Sequence, residues 1–552
     1  MRTLGLDLST QSLTAVVVDT ELGAVLAVES VRFGQDLPSY ESPNGFLLGT
    51  GPAVRHANPL LWVDALDVLF ARLRAGKVEL ASIAGVAACA QQHGTVYLAR
   101  SFNDVKRWDA TASLRAQVQP LLSRATAPLW MDTSAALECA EIASAAGGDA
   151  SIVARTGSRM TPRFAAPQIR KFHKEAPEDY AATREIHLVS SFLTSLLIGR
   201  TAPLEPGDAA GMNLLELGTG QFAAELLAAT APELESRLPP VVPSQTVVGT
   251  LAPYFTERYG FGADVPVLAG TGDNPASLVG MGATTPGSVV VSLGTSDTLF
   301  APMSEPHTDP GGYGHVFGNP LGGFMGLVCF ANGSLAREEV AARTGLDWEA
   351  FRRALLATRP GNGGRLLLPY FVPELTPRIA VPAVRLFGPP AFVRFEEPRE
   401  AARAVVEAQA LTMQHHSAWM GAKPARLLLT GGASQNDGIL QVFADVFEAE
   451  VVPLTLPNAA ALGSALRIAH ALGEPLERVV AQFAVADDAR ARAPAQGGTY
   501  AELRDRFVSE LARLLAEDPH GRPLLSAREA AELGTAVSPS GRELGLPGLS
   551  EP

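Results

Sequence analysis

Apolar and polar positions alternate from the start of the chain. Leu4, Leu6 and Leu8 face one way and Gly5 and Asp7 the other, the period-two signature of a strand. A polar tip, Ser9-Thr10-Gln11-Ser12, follows, and Thr14-Ala15-Val16-Val17-Val18-Asp19 predicts the returning strand of a hairpin. Asp7 then projects from the face opposite the leucines, where a buried carboxylate needs a cation or hydrogen-bond donors. The device recurs far along the chain, where Val289-Val290-Val291 feeds the small-residue turn Leu293-Gly294-Thr295-Ser296-Asp297-Thr298. Two such units predict two related halves.

A third strand signal, Arg426-Leu427-Leu428-Leu429-Thr430, runs into Gly431-Gly432-Ala433-Ser434-Gln435-Asn436. Ile439, Val442, Phe443, Val446 and Phe447 then recur at helical spacing, predicting an amphipathic helix from Asn436 or Asp437. A Gly-Gly turn beside a helix N-terminus lets a flat ring or a phosphate approach the backbone closely. Many α/β turns carry Gly-Gly, and the chain has neither a GxxxxGK[ST] loop nor a clear GxGxxG opening a helix.

The stretch from Leu268 to Phe300 carries the most chemistry. It sets a lone carboxylate, Asp273, in a Gly-rich turn, and the Thr295 turn follows after a β-rich run. Turns of Gly, Ser and Thr present backbone N–H groups and hydroxyls to an anion. A carboxylate beside such a cradle points to a base that deprotonates a hydroxyl for phosphoryl transfer. Taken singly, each stretch also reads as an ordinary tight turn.

With 552 residues, 47% of them hydrophobic, the chain is expected to make more than one domain. Pro239, Pro240 and Pro243 mark a connector, giving units at residues 1–248 and 249–515; beyond 516 the apolar periodicity weakens and a poorly ordered tail is expected to 552. A formal charge of −13 argues against a nucleic-acid partner. No apolar run approaches the ~18 residues of a membrane span. Met1-Arg2-Thr3 leads straight into a strand, which leaves no room for a signal peptide. Cys89, Cys139 and Cys329 form no CxxC, so a reducing, cytoplasmic setting without disulfides or zinc is expected, with all three as small core residues.

LGLDLSTQS, the AQQHG of Ala90 to Gly94, the LWMD of Leu129 to Asp132, TGDNPASLVGMG, VSLGTSDTLF and LTGGASQN stand in an order and spacing that resembles the FGGY carbohydrate kinases. The likeness extends to about residue 515. DLPSYES, TGSRMTPRF, GMNLL and TGDNPAS are similar to the xylulose-phosphorylating branch, especially its longer animal type. The resemblance implies an α/β fold of two actin-like (ribonuclease-H-like) domains with the active site in the interdomain cleft. It implies ATP and Mg²⁺ as cofactors and D-xylulose as the small-molecule partner, phosphorylated to its 5-phosphate. A sister activity on ribulose, glycerol or gluconate stays open. So does a non-catalytic sugar or nucleotide sensor on the same scaffold, and so does a homodimer.

On this reading Asp273 is the general base, and Asp7 holds Mg²⁺ through water. Thr10 and Thr295 mark the phosphate turns, while Gly432, Ala433 and Asn436 line the adenosine site. By resemblance, His93, Arg163, Asp273 and Asn274 contact the ketose; taken alone, His93 is a loop histidine and Arg163 a surface residue. Trp348 matches a family position near ATP and reads equally as a hydrophobic anchor of the helix that starts there. Gln92 departs from the Met common in the bacterial branch, which leaves a polar side chain at the rim of the sugar pocket.

Overall fold

The structure, a computed structural model, describes residues 1–517 apart from residues 77, 422, 455, 457 and 496–499. The tail expected from residue 516 therefore lies, from 518 on, outside the described residues.

Two sheets organise the chain. The first contains β1 (Arg2–Leu8), β2 (Ser12–Asp19), β3 (Ala24–Arg32), β4 (Ile83–Ala90), β5 (Val247–Thr250), β6 (Pro266–Leu268) and β7 (Thr271–Gly272). Its order is β3-β2-β1-β4-β6-β5, with β7 paired to β4. The second contains β8 (Ser288–Leu293), β9 (Asp297–Met303), β10 (His315–Gly318), β11 (Phe324–Phe330), β12 (Arg426–Thr430) and β13 (Glu450–Pro453), in the order β10-β11-β9-β8-β12-β13. Each sheet opens with an antiparallel meander, β1-β2-β3 or β8-β9-β11. Each then adds two parallel strands beside the first, β4 and β6 or β12 and β13. The halves expected from the paired hairpins thus share one topology, that of two actin-like domains.

Strands β4 and β8 read as near-continuous apolar runs because both of their faces are covered. Leu4, Leu6 and Leu8 join Trp62, Leu66 and Phe70 on one side of the first sheet, while Val16 and Val18 join Ala461, Leu462 and Ala465 on the other. Strand pairing carries the first unit past residue 248, since β5, β6 and β7 all belong to the first sheet. Pro240 and Pro243 are exposed and mark a surface passage inside that unit, which Pro239 enters from a buried position.

Two helices cross between the sheets. Helix α1 (Asp273–Gly280) leaves β7, and Leu278 at its far end packs with Val290, Phe300 and Leu428 of the second sheet. Continuing in chain order are α2 (Ser334–Thr344), α3 (Trp348–Ala357), α4 (Asp437–Phe447) and α5 (Ala459–Ala471). Helix α5 follows the second sheet and returns to lie on the first, where Ala465 O accepts from the Thr3 hydroxyl at 2.9 Å. Its buried Arg467 donates to Ser244 O at 2.8 Å and Ala269 O at 3.2 Å.

The crossing depends on missing side chains. A Cβ on Gly463 would stand 1.9 Å from Ala276 O, and one on Gly280 2.0 Å from Ala459 O. A Cβ on Gly5 would stand 1.9 Å from Ala461 O. Gly463→Ala is therefore expected to cost about 1–3 kcal/mol or more, the range for overpacking a tight core. Melting of this variant beside Gly218→Ala, an exposed glycine with nothing within 4 Å of the added carbon, provides the comparison. Equal melting temperatures for the two would show that the crossing yields without cost.

Candidate active site

The parallel strands of the first sheet end together. Asp7 is in register with Cys89, and Cys89 with Thr271, so Asp7 and the residue two places before Asp273 lie in one row across β1, β4 and β7. Turns carrying Thr10, Gln92-His93 and Asp273-Asn274 leave this edge side by side, the carboxyl-end position at which open α/β sheets bind ligands. Asp7 is buried and accepts a hydrogen bond from the Cys89 thiol at 3.4 Å. Burial and then the Asp7 charge, with Asp273 contributing, push that thiol well above the usual cysteine range. The same thiol thus senses both carboxylates.

Asp273 opens α1, where the helix N-terminus favours a negative charge. Its Oδ1 accepts from the Asn274 backbone N–H at 2.8 Å and from Asn274 Nδ2 at 3.1 Å. Asn274 Nδ2 also donates to Gln92 Oε1 at 3.1 Å, and Gln92 Nε2 to Gly207 O at 3.0 Å. Gln92 is buried. It supports Asn274 from behind, where the rim of the pocket had been expected.

His93 has φ = 75°, a conformation that costs a non-glycine residue about 1–3 kcal/mol and clusters at functional sites. Stacking on Phe164, with ring centroids 4.1 Å apart, and a 2.9 Å hydrogen bond to Gly211 O hold it there. A carbonyl only accepts, so Nδ1 carries the hydrogen. Burial, then Arg163 and His315, keep the ring's pKa well below the usual histidine value. Neutral His93 therefore offers Nε2 as an acceptor for a hydroxyl. Gly211 must be glycine, since a Cβ there would stand 2.5 Å from His93 Nδ1.

Arg163 Nη2 donates to His315 Nε2 at 3.2 Å, and His315 Nδ1 meets Ser158 Oγ at 3.2 Å. Burial and the neighbouring guanidinium hold His315 down to about 3. Arg163 belongs to the first unit and His315 to β10 of the second, so the two units meet at this contact.

The second sheet repeats the edge. Ser292 of β8 is in register with Thr430 of β12, and the Gly294–Ser296 and Gly431–Gln435 turns leave together. Gly431, at φ = 88°, packs so closely that a Cβ would lie 2.3 Å from Leu293 O. Behind Thr295, Asp297 is fully buried and paired with Arg337 of α2 at 3.0 and 3.2 Å. Burial pushes the Asp297 carboxyl up and Arg337 opposes it. Gln409 accepts from Arg337 and donates to the Asn332 and Gly333 carbonyls, which ties the turn to the start of α2.

Two family models match the chain: the N-terminal domain of the FGGY family of carbohydrate kinases over residues 2–280, and the C-terminal domain of that family over residues 289–472. The chain belongs to the FGGY family of carbohydrate kinases. Xylulose kinase 2 of Arabidopsis thaliana is 37% identical over 85% of this chain and 86% of its own, and the xylulose kinase of Rattus norvegicus 36% identical over 93% and 97%. Among solved structures, a xylulose kinase from Rhodospirillum rubrum superposes with a TM-score of 0.78 at 22% identity, covering 94% of this chain and 99% of that one. A gluconate kinase from Lactobacillus acidophilus reaches 0.77 at 20% identity, covering 94% and 98%. At such identities these structures share the fold and leave the substrate undecided.

On this FGGY scaffold His93, Asp273 and Asn274 lie at the end of the first sheet, whereas Arg163 meets His315 and Cys329 of the second. Arg163 and His93 are linked through His315 and Phe164, whose rings lie 5.3 Å apart. Asp7 lies in the same edge. Thr10 Oγ1 accepts from Trp130 Nε1 at 2.9 Å and donates to Gln91 at 3.3 Å. Gly432, Ala433 and Asn436 follow β12, and Asn436 Oδ1 caps α4 through Gly438 N and Ile439 N. Trp348 stands 53% exposed at the start of α3, edge-on to Phe351, which is the buried anchor of that helix. Sequence reasoning missed His315, Phe164 and the Asp297–Arg337 pair. Asp297 had a visible signal, a lone acid between buried strand residues, whereas Arg337 and His315 had none.

Two measurements follow from this electrostatics. Arg337→Leu strands a buried Asp297 and is expected to cost about 3–5 kcal/mol, whereas adding Asp297→Asn recovers much of that loss. Urea titration of both variants checks it, and equal stability for the two would disprove the pairing. His315 binds its proton in the unfolded chain near pH 6.5 and in the folded chain only near pH 3. Its contribution is therefore complete above 6.5 and lost as pH falls from 6.5 toward 3, with a slope of up to about 1.4 kcal/mol per pH unit. His315→Gln should flatten the stability profile in that window.

Proposed function

We propose that this chain transfers the γ-phosphoryl group of ATP to the primary hydroxyl of D-xylulose, giving D-xylulose 5-phosphate and ADP. The observation that carries the reading is the shared edge on which Asp7, His93, Asp273 and Asn274 meet, together with the 36–37% identity to plant and rat xylulose kinases over most of the chain. Asp273 takes the hydroxyl proton while the sugar oxygen bonds to phosphorus and the bond to the β–γ bridging oxygen breaks. Neutral His93 accepts a sugar hydroxyl through Nε2, and Arg163 donates to a sugar oxygen. The Thr10 and Thr295 turns cradle the phosphates, and the Gly432-Ala433 turn with Asn436 flanks the adenosine.

Asp7 fits Mg²⁺. It is a buried carboxylate at the same edge, and among the described residues no three acidic, His or Cys side chains cluster as a protein-only metal cage. Mg²⁺ suits that donor set, since it commonly takes one or two carboxylates and completes its shell with phosphate oxygens and water. When bound, it supplies charge neutralisation on the phosphates. We also place the division between the units at residues 280–289, and the enzyme in the cytoplasm, which its three free cysteines favour.

Asp273→Ala should lower sugar-dependent ADP release by ~10²–10⁴ while ATP binding survives, because the base touches the sugar and not the nucleotide. A variant retaining a third or so of wild-type turnover, far above that range, would remove the base assignment. Asp7→Asn should raise the Mg²⁺ requirement with the sugar KM much less affected, and unchanged Mg²⁺ dependence would make Asp7 structural. Across a sugar panel, D-xylulose should exceed ribulose and glycerol in kcat/KM by ~10-fold or more, since one mispaired buried hydroxyl costs about 1–3 kcal/mol. Glycerol or gluconate ahead of xylulose would move the enzyme to a sister activity.

A further inference from the structure

We propose that Gln92 is a positioning residue of this site: it fixes the carboxamide of Asn274 and, through it, the carboxylate of Asp273. The inference rests on the reading of Asp273 as base and deepens it.

The direction of every bond in the chain is forced from one end. Gly207 O can only accept, so the Gln92 amide nitrogen must face it, at 3.0 Å. Gln92 Oε1 then points the other way and can only accept, so Asn274 must present Nδ2 to it, at 3.1 Å. That same Nδ2 reaches Asp273 Oδ1, also at 3.1 Å, beside the backbone N–H of Asn274 at 2.8 Å. An amide nitrogen has two hydrogens, and both are used here. Asn274 therefore meets the sugar through Oδ1, as an acceptor of a hydroxyl hydrogen, and cannot turn over without breaking both bonds.

Packing holds Gln92 as firmly as its hydrogen bonds do. The side chain is 3% exposed, and a Cβ on Gly272 would stand 2.5 to 2.7 Å from its Cγ, Cδ and Nε2. Gly272 immediately precedes the base and caps α1. A bare backbone there is what lets Gln92 lie between Gly207 and Asn274. Without the carboxamide, Asn274 keeps only one of its two side-chain anchors, the bond to Asp273 Oδ1, and the geometry of the base loosens with it.

Gln92→Met keeps the length and approximate volume of the side chain and removes both the acceptor and the donor. It is expected to lower kcat for sugar phosphorylation by about 10- to 100-fold, the scale of a small misplacement of reacting groups, with the ATP KM within about twofold. In an Asn274→Ala background the same substitution should cost much less than in the wild type, because the proposed effect of Gln92 on Asp273 runs through Asn274, while its other partners, Gly207 O and the Asp208 carboxyl, stay in place. Gly272→Ala, whose added carbon displaces Gln92 without removing it, should reproduce the kcat loss and serves as the second route if Gln92→Met does not fold. Wild-type kcat in Gln92→Met, wild-type kcat in a folded Gly272→Ala, or losses that multiply in the Asn274→Ala background would each overturn the proposal while leaving the kinase reading intact. A wild-type protein that phosphorylates no sugar in the panel would overturn both.

Discussion

Backbone-to-backbone contact between two helices is the constraint on which the rest of this molecule depends. Helices Asp273–Gly280 and Ala459–Ala471 touch where Gly280 and Gly463 lack side chains, and the second helix reaches the first sheet where Gly5 does. Each helix follows one sheet and packs on the other, so the crossing is the structural junction of the two halves. It also sets the chemistry, because the first residue of one crossing helix is Asp273. A larger residue at the crossing would push the sheets apart and displace Asp273 with them.

Charge in the cleft is arranged by burial and not by numbers of ions. Behind Gln92, Glu205 accepts from Thr271, Ser244 and the Asp208 backbone N–H, and Asp208 accepts from Ser190. Burial, with Glu205 and Asp273 nearby, pushes the Asp208 carboxyl well above the usual range. His93 and His315 are likewise kept neutral. Burial thus removes charge from several groups around Asp7 and Asp273, the two carboxylates to which we give tasks in the proposed reaction.

What the sequence made legible follows from the range of the physics involved. Local period and turn chemistry revealed both hairpins, the Gly-Gly turn and the helix capped by Asn436, because neighbours in sequence decide those features. The row of Asp7, Cys89 and Thr271 needs parallel pairing across most of the first half, and nothing in the alternation of leucines announces its register. The boundary near residue 248 failed to hold as a sheet boundary for the same reason: prolines report a surface turn, whereas sheet membership of residues 247–272 is decided by distant partners. Gln92 was visible as an unusual polar residue, but its neighbours in space, Gly207 on one side and Gly272 and Asn274 on the other, come from two segments far from it in sequence. His315 could not be found at all by local pattern, since its task exists only once two units meet.

That meeting has a thermodynamic meaning. Arg163 of the first unit, which we propose meets the sugar, is held by two side chains of the second, His315 and Cys329. Any free energy the sugar gains from a well-aimed guanidinium is then drawn from the apposition of the units, and the apposition gains the same amount from the sugar. On the proposed role of Arg163, substrate affinity and interdomain geometry become two readings of one equilibrium, in which the acceptor sugar is itself a ligand for the apposed units.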